Sequence, residues 1–275
     1  MVIEPGVFAF GLTNRAMPAT VPVEADALVL GVYPSAFHVA WRPPAQWDAG
    51  AFGSLAVDVE PSVFWPGAPQ VDRTRLLREW QHRAEEVCGP LPGRFGWCGS
   101  NGSSGALLDR LGYFAGSGVP RERTAFTDAL PVFTVKRGRR AGHREQGDAL
   151  DDYNLLARAH DLPLASLPAR PDPAELPVLA ADQFGERLRG ELLAVAPRLV
   201  VTLGQEAWDT LVAVADTEAP ARGLSHARAE GRYGVRGAVT IGGWSAEWLP
   251  LAHPGLLGKS SPWRSAHQLW AAGHR

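Results

Sequence analysis

A phenol, a carboxyl and an imidazole each end a short apolar run of this 275-residue chain, at Tyr33, Asp128 and His253. Each run has the length of a β-strand and ends in a turn of glycine, proline or polar residues. A carboxylate accepts hydrogen bonds and a neutral imidazole donates and accepts them, so these groups can bind and polarise a polar ligand. Ligands of open parallel sheets bind beyond the carboxyl ends of the strands, and we therefore expect the three side chains to surround one cavity.

The elements that must position these side chains are predicted from hydrophobic periodicity. The predicted strands cover residues 27–33, 124–128, 198–204 and 247–253. The predicted helices cover residues 72–87, 148–160, 182–195, 205–215 and 265–272. Strands that alternate with helices favour the α/β class, and we predict a three-layer α/β/α sandwich around a mostly parallel four-stranded sheet. We expect residues 1–275 to form a single domain, because this length fits one large α/β domain.

Proline and glycine mark the predicted loops. Long connections are expected at residues 41–48, 91–105 and 162–177. The last of these is rich in proline, which is typical of a semi-rigid connector across the surface. Pro250 lies inside the fourth apolar run and has no N–H for a sheet, so it predicts an edge position or a strand entry there.

Composition excludes several classes of protein. The net charge is −2, so binding to nucleic acid requires a local basic patch. No uninterrupted apolar run is long enough for a membrane span, and residues 1–12 contain Glu4 and no basic residue, unlike a secretory signal. Cys88 and Cys98 are the only cysteines, and the histidines are scattered. We therefore expect a cytoplasmic monomer with no metal and no cofactor.

Four segments together resemble the uracil-DNA glycosylase superfamily. Residues 31–35 (GVYPS) are similar to its first motif, a Gly-x-polar-Pro turn, and residues 253–261 (HPGLLGKSS) to its last motif, a His-Pro-Ser-Pro-Leu-Ser-like loop. Residues 126–131 resemble the strand end that holds the family's base-reading Asn, and residues 197–211 its third strand and following helix. These segments frame residues 25–265 in the family's order. The resemblance implies an enzyme that flips a base out of DNA and hydrolyses its N-glycosidic bond.

The resemblance also implies roles for individual residues. His253 is expected to donate a hydrogen bond to a base oxygen on which negative charge develops as the base departs, which favours the transition state. A buried histidine bonded to the backbone is the alternative interpretation. Substrate binding is implied for the first motif and for one aromatic side chain: Gly31, Pro34, Ser35 and Phe64, with Trp65 as a second aromatic candidate.

Tyr33 stands where active members of this superfamily have an Asp or Asn that positions or activates water. A phenol, with a pKa of about 10, is a poor general base at neutral pH. We assign Tyr33 and Asp58 to the catalytic set with His253, and Glu60 and His38 are further candidates. Ordinary structural positions are the alternative for each of these residues.

Asp128 stands where the resemblance expects an Asn. An Asn offers one donor and one acceptor, which suits the N3–H and O4 of uracil, whereas an ionised Asp only accepts. Asp128 is therefore predicted to favour a base edge with amino or N–H donors, and a base other than plain uracil. A helix cap or an ion pair with an Arg is the alternative.

The segment after His253 suits contact with a duplex. Leu256 and Leu257 lie between two glycines, and either is predicted to fill the space that a flipped base leaves. Two core leucines under a glycine turn are the alternative. Contacts to DNA phosphates are predicted for the next three residues: Lys259, Ser260 and Ser261.

A basic segment follows the predicted base-reading strand. Residues 136–144 carry five Lys and Arg side chains. We expect Arg137, Arg139 and Arg140 to bind DNA, single- or double-stranded, with an affinity that falls steeply with salt. The alternative is a solvated surface loop.

Three functions remain open at this point. The first is a divergent base-excision N-glycosylase for a modified or deaminated base. The second is a catalytically inactive nucleic-acid or nucleobase-binding protein on the same fold, because Tyr33 occupies a catalytic position. The third is an unrelated α/β enzyme for a small nucleotide or another metabolite.

Overall fold

The computed structural model describes residues 2–98, 104–137 and 146–273, and these residues contain two β-sheets. The strands are β1 (Ala27–Gly31), β2 (Ala36–Arg42), β3 (Phe52–Val59), β4 (Arg94–Trp97), β5 (Thr124–Asp128), β6 (Leu199–Leu203), β7 (Asp216–Glu218), β8 (Gly237–Ile241) and β9 (Trp244–Leu251). The helices are α1 (Gln70–Cys88), α2 (Ser104–Arg110), α3 (Tyr113–Ser117), α4 (Gln146–Ala159), α5 (Leu176–Val195), α6 (Gln205–Val214), α7 (Leu224–Ala229), α8 (Pro254–Leu257) and α9 (Ser261–Ala272).

The larger sheet has six strands in the order β5-β1-β6-β9-β8-β7. Its first four strands are parallel and coincide with the four predicted runs, so the α/β class is confirmed. The prediction of a four-stranded sheet was wrong, because β8 and β7 extend it in antiparallel pairing. Two glycines, Gly242 and Gly243, connect β8 to β9, and a two-glycine turn between strands is a hairpin signal that would have revealed β8.

Pro250 lies at the edge position that its missing N–H demands. In β9 it stands opposite Thr202 of β6, and the β8 ladder on the other side ends at Trp248. Beyond Trp248, β9 has no strand on that side, so the proline interrupts no hydrogen bond of β8.

Alternate residues of the parallel strands point into two different cores. Leu28, Leu30 and Val200 pack with the apolar faces of α5 and α6. Val29 and Val201 pack in the second core, which includes residues of α3, α9 and the smaller sheet. Burial on both faces explains why β1 and β6 are almost continuously apolar. Burial on both faces also holds these strands in a fixed position, and with them the segments that follow.

The smaller sheet is antiparallel, in the order β3-β2-β4, and was not predicted. It includes the first residues of one predicted loop and the middle of another, since β2 ends at Arg42 and β4 covers Arg94–Trp97. The alternation of Phe37, Val39 and Trp41 in β2 is the period-two signal of a half-buried strand. Trp41 and Trp80 are fully buried beneath this sheet and each contacts the ring of Phe95.

The helix predictions are confirmed, and four of the helices begin earlier than predicted, α5 and α9 by the most residues. Helix α5 begins at Leu176 rather than residue 182, and α9 begins at Ser261 rather than residue 265. Pro177 and Pro262 lie in the first turns of these helices, where no intrahelical N–H bond is lost, so proline does not exclude a helix there. None of the helices that the structure describes combines the length and apolarity needed to cross a membrane.

Candidate functional site

A cavity of about 530 Å³ opens at the carboxyl edge of the parallel strands. This volume lies within the range of small-molecule sites, about 300–1,000 Å³. Tyr33, Asp128 and His253 all line the cavity, so the structure brings the three groups together. Other side chains in its walls are Ser35, Glu60, Phe64, Gln205, Glu206, Leu256, Lys259 and Trp263.

Strand register explains how distant parts of the chain meet here. Gly31, the last residue of β1, stands opposite Asp128, the last residue of β5. Leu203 at the end of β6 stands opposite Leu251 at the end of β9. The residues that follow these four ends therefore reach the same edge of the sheet. Tyr33 follows β1, and His253 follows β9.

Gly31 lets two site residues approach the end of β1. A Cβ placed on Gly31 would lie 2.6 Å from Cζ of Phe64 and would overlap Oδ1 of Asp128. Phe64 itself has a positive φ of 51°, which costs a residue with a side chain about 1–2 kcal/mol. Nη2 of Arg121 donates to the carbonyl oxygen of Phe64 at 2.6 Å and holds this backbone in place. Gly31 and Arg121 thus fix the Phe64 ring beside the carboxyl group.

Asp128 presents a buried carboxyl group to the cavity. The residue is 4% exposed, and neither carboxylate oxygen has a hydrogen bond or an ion pair within the part of the chain that the structure describes. Arg187, whose charge acts on this carboxyl group, donates instead to the backbone oxygens of Asp128 and Ala129 and pairs with Glu191 at 2.8 Å. Burial raises the pKa of Asp128 to about 7, against the opposing effect of Arg187. The alternative interpretation of Asp128, an ion pair of its carboxylate with an Arg, is not found among the described residues.

His253 lines the cavity as a neutral, half-buried imidazole. Its Nδ1 accepts a hydrogen bond from the backbone N–H of Gly255 at 3.1 Å, so the proton of the neutral ring is assigned to Nε2. Burial lowers the pKa of His253 to about 4, and the positive charges of Arg170 and Lys259 lower it further. At neutral pH the ring therefore offers an uncharged N–H donor to a ligand.

A buried polar network holds the residue before His253 from behind. The hydroxyl of Tyr113 donates to the carbonyl oxygen of Ala252, and the backbone N–H of Ala252 donates to the hydroxyl of Tyr233 at 3.1 Å. The Tyr233 hydroxyl bonds in turn with Nδ1 of His267 at 2.8 Å, and Nε2 of His267 bonds with the carbonyl oxygen of Leu111 at 3.0 Å. Both backbone polar groups of Ala252 are thereby occupied, which fixes the direction in which the chain enters the His253 turn.

Tyr33 does not have the environment of a general base. Burial raises the pKa of Tyr33 above 10, against the opposing charge of Arg170. The guanidinium carbon of Arg170 lies 3.9 Å from the centre of the Tyr33 ring, a cation–π contact. Arg170 belongs to the proline-rich connection at residues 162–177, which the sequence analysis assigned to the surface. The backbone N–H of Arg170 bonds to Val135, and this bond anchors the connection beside the site.

Asp58, assigned to the catalytic set, lies outside the cavity. It sits in β3 and pairs with Arg83 of α1 at 2.6 Å, and burial raises the pKa of Asp58 despite this partner. Glu60 does line the cavity, because it follows the end of β3, where the chain turns at Pro61. His38 is buried within β2 and bonds to Ser54, away from the cavity. Of the proposed substitute acids, the structure thus places Glu60 at the site and not Asp58.

Glu206 is a cavity residue that the sequence analysis did not assign. It is the second residue of α6, which begins directly after β6 and the intervening Gly204, and Gly204 has a positive φ of 100°. A Cβ placed on Gly204 would lie 3.4 Å from Oε2 of Glu206 and 3.5 Å from Cβ of His253, so these two side chains flank the glycine. The rule that strand ends carry the site would have found Glu206, since this residue also follows a predicted strand.

The segment after His253 divides into an exposed and a buried part. Leu256 is 38% exposed and lines the cavity, whereas Leu257 is 1% exposed and belongs to the core. The assignment of Leu257 as a DNA-contacting wedge was therefore wrong. Arg264 donates to the carbonyl oxygens of Leu257 and Gly258 and holds this turn.

The remaining predicted residues lie around the site or away from it. Lys259 is exposed and lines the cavity, and Ser260 and Ser261 follow it at the start of α9. Pro34 is buried behind the first motif and does not line the cavity. Arg137 pairs with Asp151 at 3.1 Å, which offsets part of its charge, and it is also absent from the cavity wall. Arg139 and Arg140 lie outside the described residues.

Comparison with known proteins gives no match. No protein-family model matches the chain, and no curated protein matches it either. Within residues 2–98, 104–137 and 146–273, no group of three or more His, Cys, Asp and Glu side chains is arranged to hold a metal ion.

Proposed function

We propose that the protein is a divergent DNA base-excision N-glycosylase, which takes a modified or deaminated base into the cavity and hydrolyses its N-glycosidic bond. One observation carries this proposal: Asp128, His253 and Phe64 converge on a single cavity of about 530 Å³. A buried carboxyl group can read the polar edge of a base, an imidazole N–H can bind its oxygen, and an aromatic ring can stack on its face. Two of the four segments that resemble the uracil-DNA glycosylase superfamily supply Asp128 and His253, and helices on both faces of the four parallel strands fit its three-layer α/β/α arrangement.

His253 stabilises the departing base. When the bond between C1′ of the sugar and the base nitrogen breaks, the electron pair stays with the base, and negative charge develops on its oxygen. The Nε2–H of His253 donates to that oxygen most strongly when the charge has formed, so it lowers the barrier rather than only binding the substrate. The neutral state of the ring suits this role, because the proton stays on the imidazole.

Glu206 takes the part that Tyr33 cannot perform. A water molecule attacks C1′ as the nucleobase leaves. A proton-accepting side chain must then take the proton that this water loses. Glu206 lies in the cavity wall beside His253, and its charge acts on Tyr33. We assign Glu206 to water activation and to stabilisation of the cation-like sugar, and Glu60 is the other carboxylate of the wall.

DNA is the partner that this assignment requires. Lys259 lies at the cavity and is exposed, which suits contact with a phosphate, and Leu256 is the exposed apolar side chain for the space left by the flipped base. Ser260, Ser261 and the segment that begins at Arg137 extend this surface. We propose that a monomer in the cytoplasm acts on single- or double-stranded DNA in this way.

The test is release of the base from a panel of oligonucleotides that carry uracil, hypoxanthine, xanthine and damaged bases, followed by alkaline cleavage. We expect release from at least one of them, and His253→Ala to slow it by about 100- to 1,000-fold, the usual effect of removing one such donor. The matched control is His82→Ala, because His82 is an exposed residue of α1. Equal loss in both variants contradicts the assignment of His253.

A specific observation favours the inactive alternative, a nucleic-acid or nucleobase-binding protein. Tyr33, held under Arg170, fills the position of the family's water-positioning residue. Tyr33→Asn separates the two functions. If the wild type binds oligonucleotides without releasing a base and Tyr33→Asn gains release, the chain is a binding protein with an otherwise competent cavity. An enzyme for a small metabolite predicts no salt-dependent binding of DNA at all.

A further inference from the structure

Asp128 is a buried acid that the fold leaves without a partner. Its 4% exposure is that of a core residue, yet its carboxylate oxygens bond to no described residue and face the cavity. Buried carboxylates are normally paired, because an isolated charge in a poorly hydrated site is costly. The charge of Arg187 acts on this carboxyl group. Its two Nη groups are engaged by Glu191, Thr127 and two backbone oxygens, and its buried Nε has no hydrogen-bond partner among the described residues. The acceptor capacity of Asp128 is therefore left open to donors that a ligand can bring into the cavity.

The chemical form of this carboxyl group decides which ligand edge it can bind. An ionised carboxylate has two acceptor oxygens and matches two adjacent donors. A protonated carboxyl group has one donor and one acceptor, as an Asn amide has, and matches the N–H and carbonyl edge of uracil. Two donors on a carboxylate also form charge-assisted hydrogen bonds, which are about twice as strong as neutral ones.

We propose that the cavity selects a guanine-type edge, in which a ring N–H lies beside an exocyclic amino group, and that ionised Asp128 accepts from both donors. This inference rests on the proposed function and names its substrate class: guanine-type bases, including those modified at positions that leave this edge intact. The pairing supplies the two donors that the fold withholds from Asp128. It also explains why an acid, rather than an amide, ends β5.

The walls of the cavity favour neither form of Asp128 strongly. From α5, Arg187 favours the ionised form and Glu191 opposes it. The cavity wall adds the acids Glu60 and Glu206 and the cation Lys259, and Arg170 stands behind Tyr33. Burial raises the pKa of the free carboxyl group to about 7. The two forms are therefore both accessible near neutral pH, and a ligand with two donors draws the group into its ionised form.

Two other wall groups do not change charge in this range. The pKa of His253 is lowered to about 4 by burial, and the pKa of Tyr33 is raised above 10 by burial. A change of ligand affinity near pH 7 that Asp128→Asn abolishes is thus assigned to this carboxyl group.

The experiment is calorimetric titration of the full chain with three nucleosides at about pH 6 and about pH 8, on either side of the Asp128 pKa. We expect 2′-deoxyguanosine to bind about tenfold more tightly at the higher pH, because the ionised fraction rises by that factor. 2′-Deoxyuridine, which needs the protonated form, is expected to show the opposite trend. 2′-Deoxyinosine keeps the ring N–H and lacks the amino group, so at the higher pH it is expected to bind more weakly than 2′-deoxyguanosine.

The near-isosteric variant Asp128→Asn sharpens this test. It replaces two acceptors by one donor and one acceptor, so we expect 2′-deoxyguanosine to lose about tenfold in affinity, which is one lost charge-assisted bond, and the pH dependence to disappear. 2′-Deoxyuridine is expected to bind the variant better than the wild type. The matched control is Asp48→Asn, an exposed residue at a positive φ of 48° that Asn also adopts.

The outcomes separate this inference from the proposed function. Preference of the wild type for 2′-deoxyuridine at the higher pH, or an unchanged preference in Asp128→Asn, overturns the inference. Failure of all three nucleosides to bind overturns it as well. Release of bases from the oligonucleotide panel decides the N-glycosylase proposal independently, because that assay requires no preference for guanine-type bases.

Discussion

Two buried aspartates with opposite surroundings divide this molecule into a closed region and an open one. Asp58 in the smaller sheet is 2% exposed, and Asp128 in the larger sheet is 4% exposed. Oδ2 of Asp58 lies 2.6 Å from Nη1 of Arg83, and its Oδ1 accepts from the backbone N–H of Val59. Asp128 faces a cavity and has no such partner among the described residues.

Burial alone therefore does not identify a functional acid. Burial raises the pKa of both carboxyl groups, so a shifted pKa is common to the two regions. What distinguishes Asp128 is that its hydrogen-bonding capacity is left open toward space that a ligand can fill. Asp58 has a charged partner within the fold, and we propose that Asp128 is held ready for a ligand at a cost in stability.

Removal of the ion-pair partner of Asp58 has the largest expected effect on the free energy of unfolding. Arg83→Met keeps much of the side-chain volume and removes the partner of buried Asp58, so we expect the free energy of unfolding to fall by about 3 kcal/mol at neutral pH. The loss is expected to be smaller at acid pH, where the carboxyl group can take up a proton. Chemical denaturation measures both values. Arg75→Met is the control, because the Arg75–Glu79 pair is exposed, and a similar loss there would contradict the comparison.

A methyl group placed in the cavity wall beside Asp128 is the second test. Gly31→Ala places a methyl group against Asp128 and Phe64, so we expect a loss of about 2 kcal/mol in unfolding free energy from overpacking, together with loss of nucleoside binding. Gly53→Ala in β3 is the matched control, because a Cβ there meets no atom within 4 Å. Nucleoside binding that survives in Gly31→Ala would show that the carboxyl group and the ring do not form the binding wall.

Removal of the Asp128 charge has a smaller effect on the free energy of unfolding, and the sign of this effect is opposite. The pKa of Asp128 is raised from 3.8 to about 7 on folding, so the folded state binds more protons between these values. The contribution of Asp128 to unfolding free energy therefore falls as pH rises through this window. We expect Asp128→Asn to be about 1–2 kcal/mol more stable than the wild type at about pH 8, and equally stable at about pH 3. Denaturation curves at the two pH values would refute this if the difference did not change.

The smallest expected effect is on the rate of base release, and it comes from the buried hydrogen-bond network behind His253. Tyr233→Phe removes the hydroxyl that bonds Ala252 and His267, so we expect base release to slow about fivefold, which corresponds to one lost hydrogen bond, with KM unchanged. Tyr153→Phe removes a hydroxyl from another buried network, between Phe10 and Pro163. We expect that variant to lose stability and keep its rate of base release. Equal slowing in both variants would deny Tyr233 a positioning role.

Much of the larger sheet was predictable from local pattern. The runs at residues 27–31 and 199–203 are almost continuously apolar because helices and a second core cover both faces of these strands. The smaller sheet was missed because β2 and β4 lie beside prolines and glycines that are typical of loops. Its strands are stabilised by Trp41, Trp80 and Tyr153, which are distant in sequence and meet only in the folded core.

The meeting of Tyr33, Asp128 and His253 at one edge followed from the chain alone, because parallel strands place their carboxyl ends together and each of these residues follows such an end. Which aspartate is closed and which is open did not follow, since Arg83 lies 25 residues from Asp58 on a helix that the spacing alone cannot orient. The contact of Arg170 with the Tyr33 ring did not follow for the same reason. A pairing between remote side chains depends on how the layers pack, and short-range periodicity carries no information about that packing.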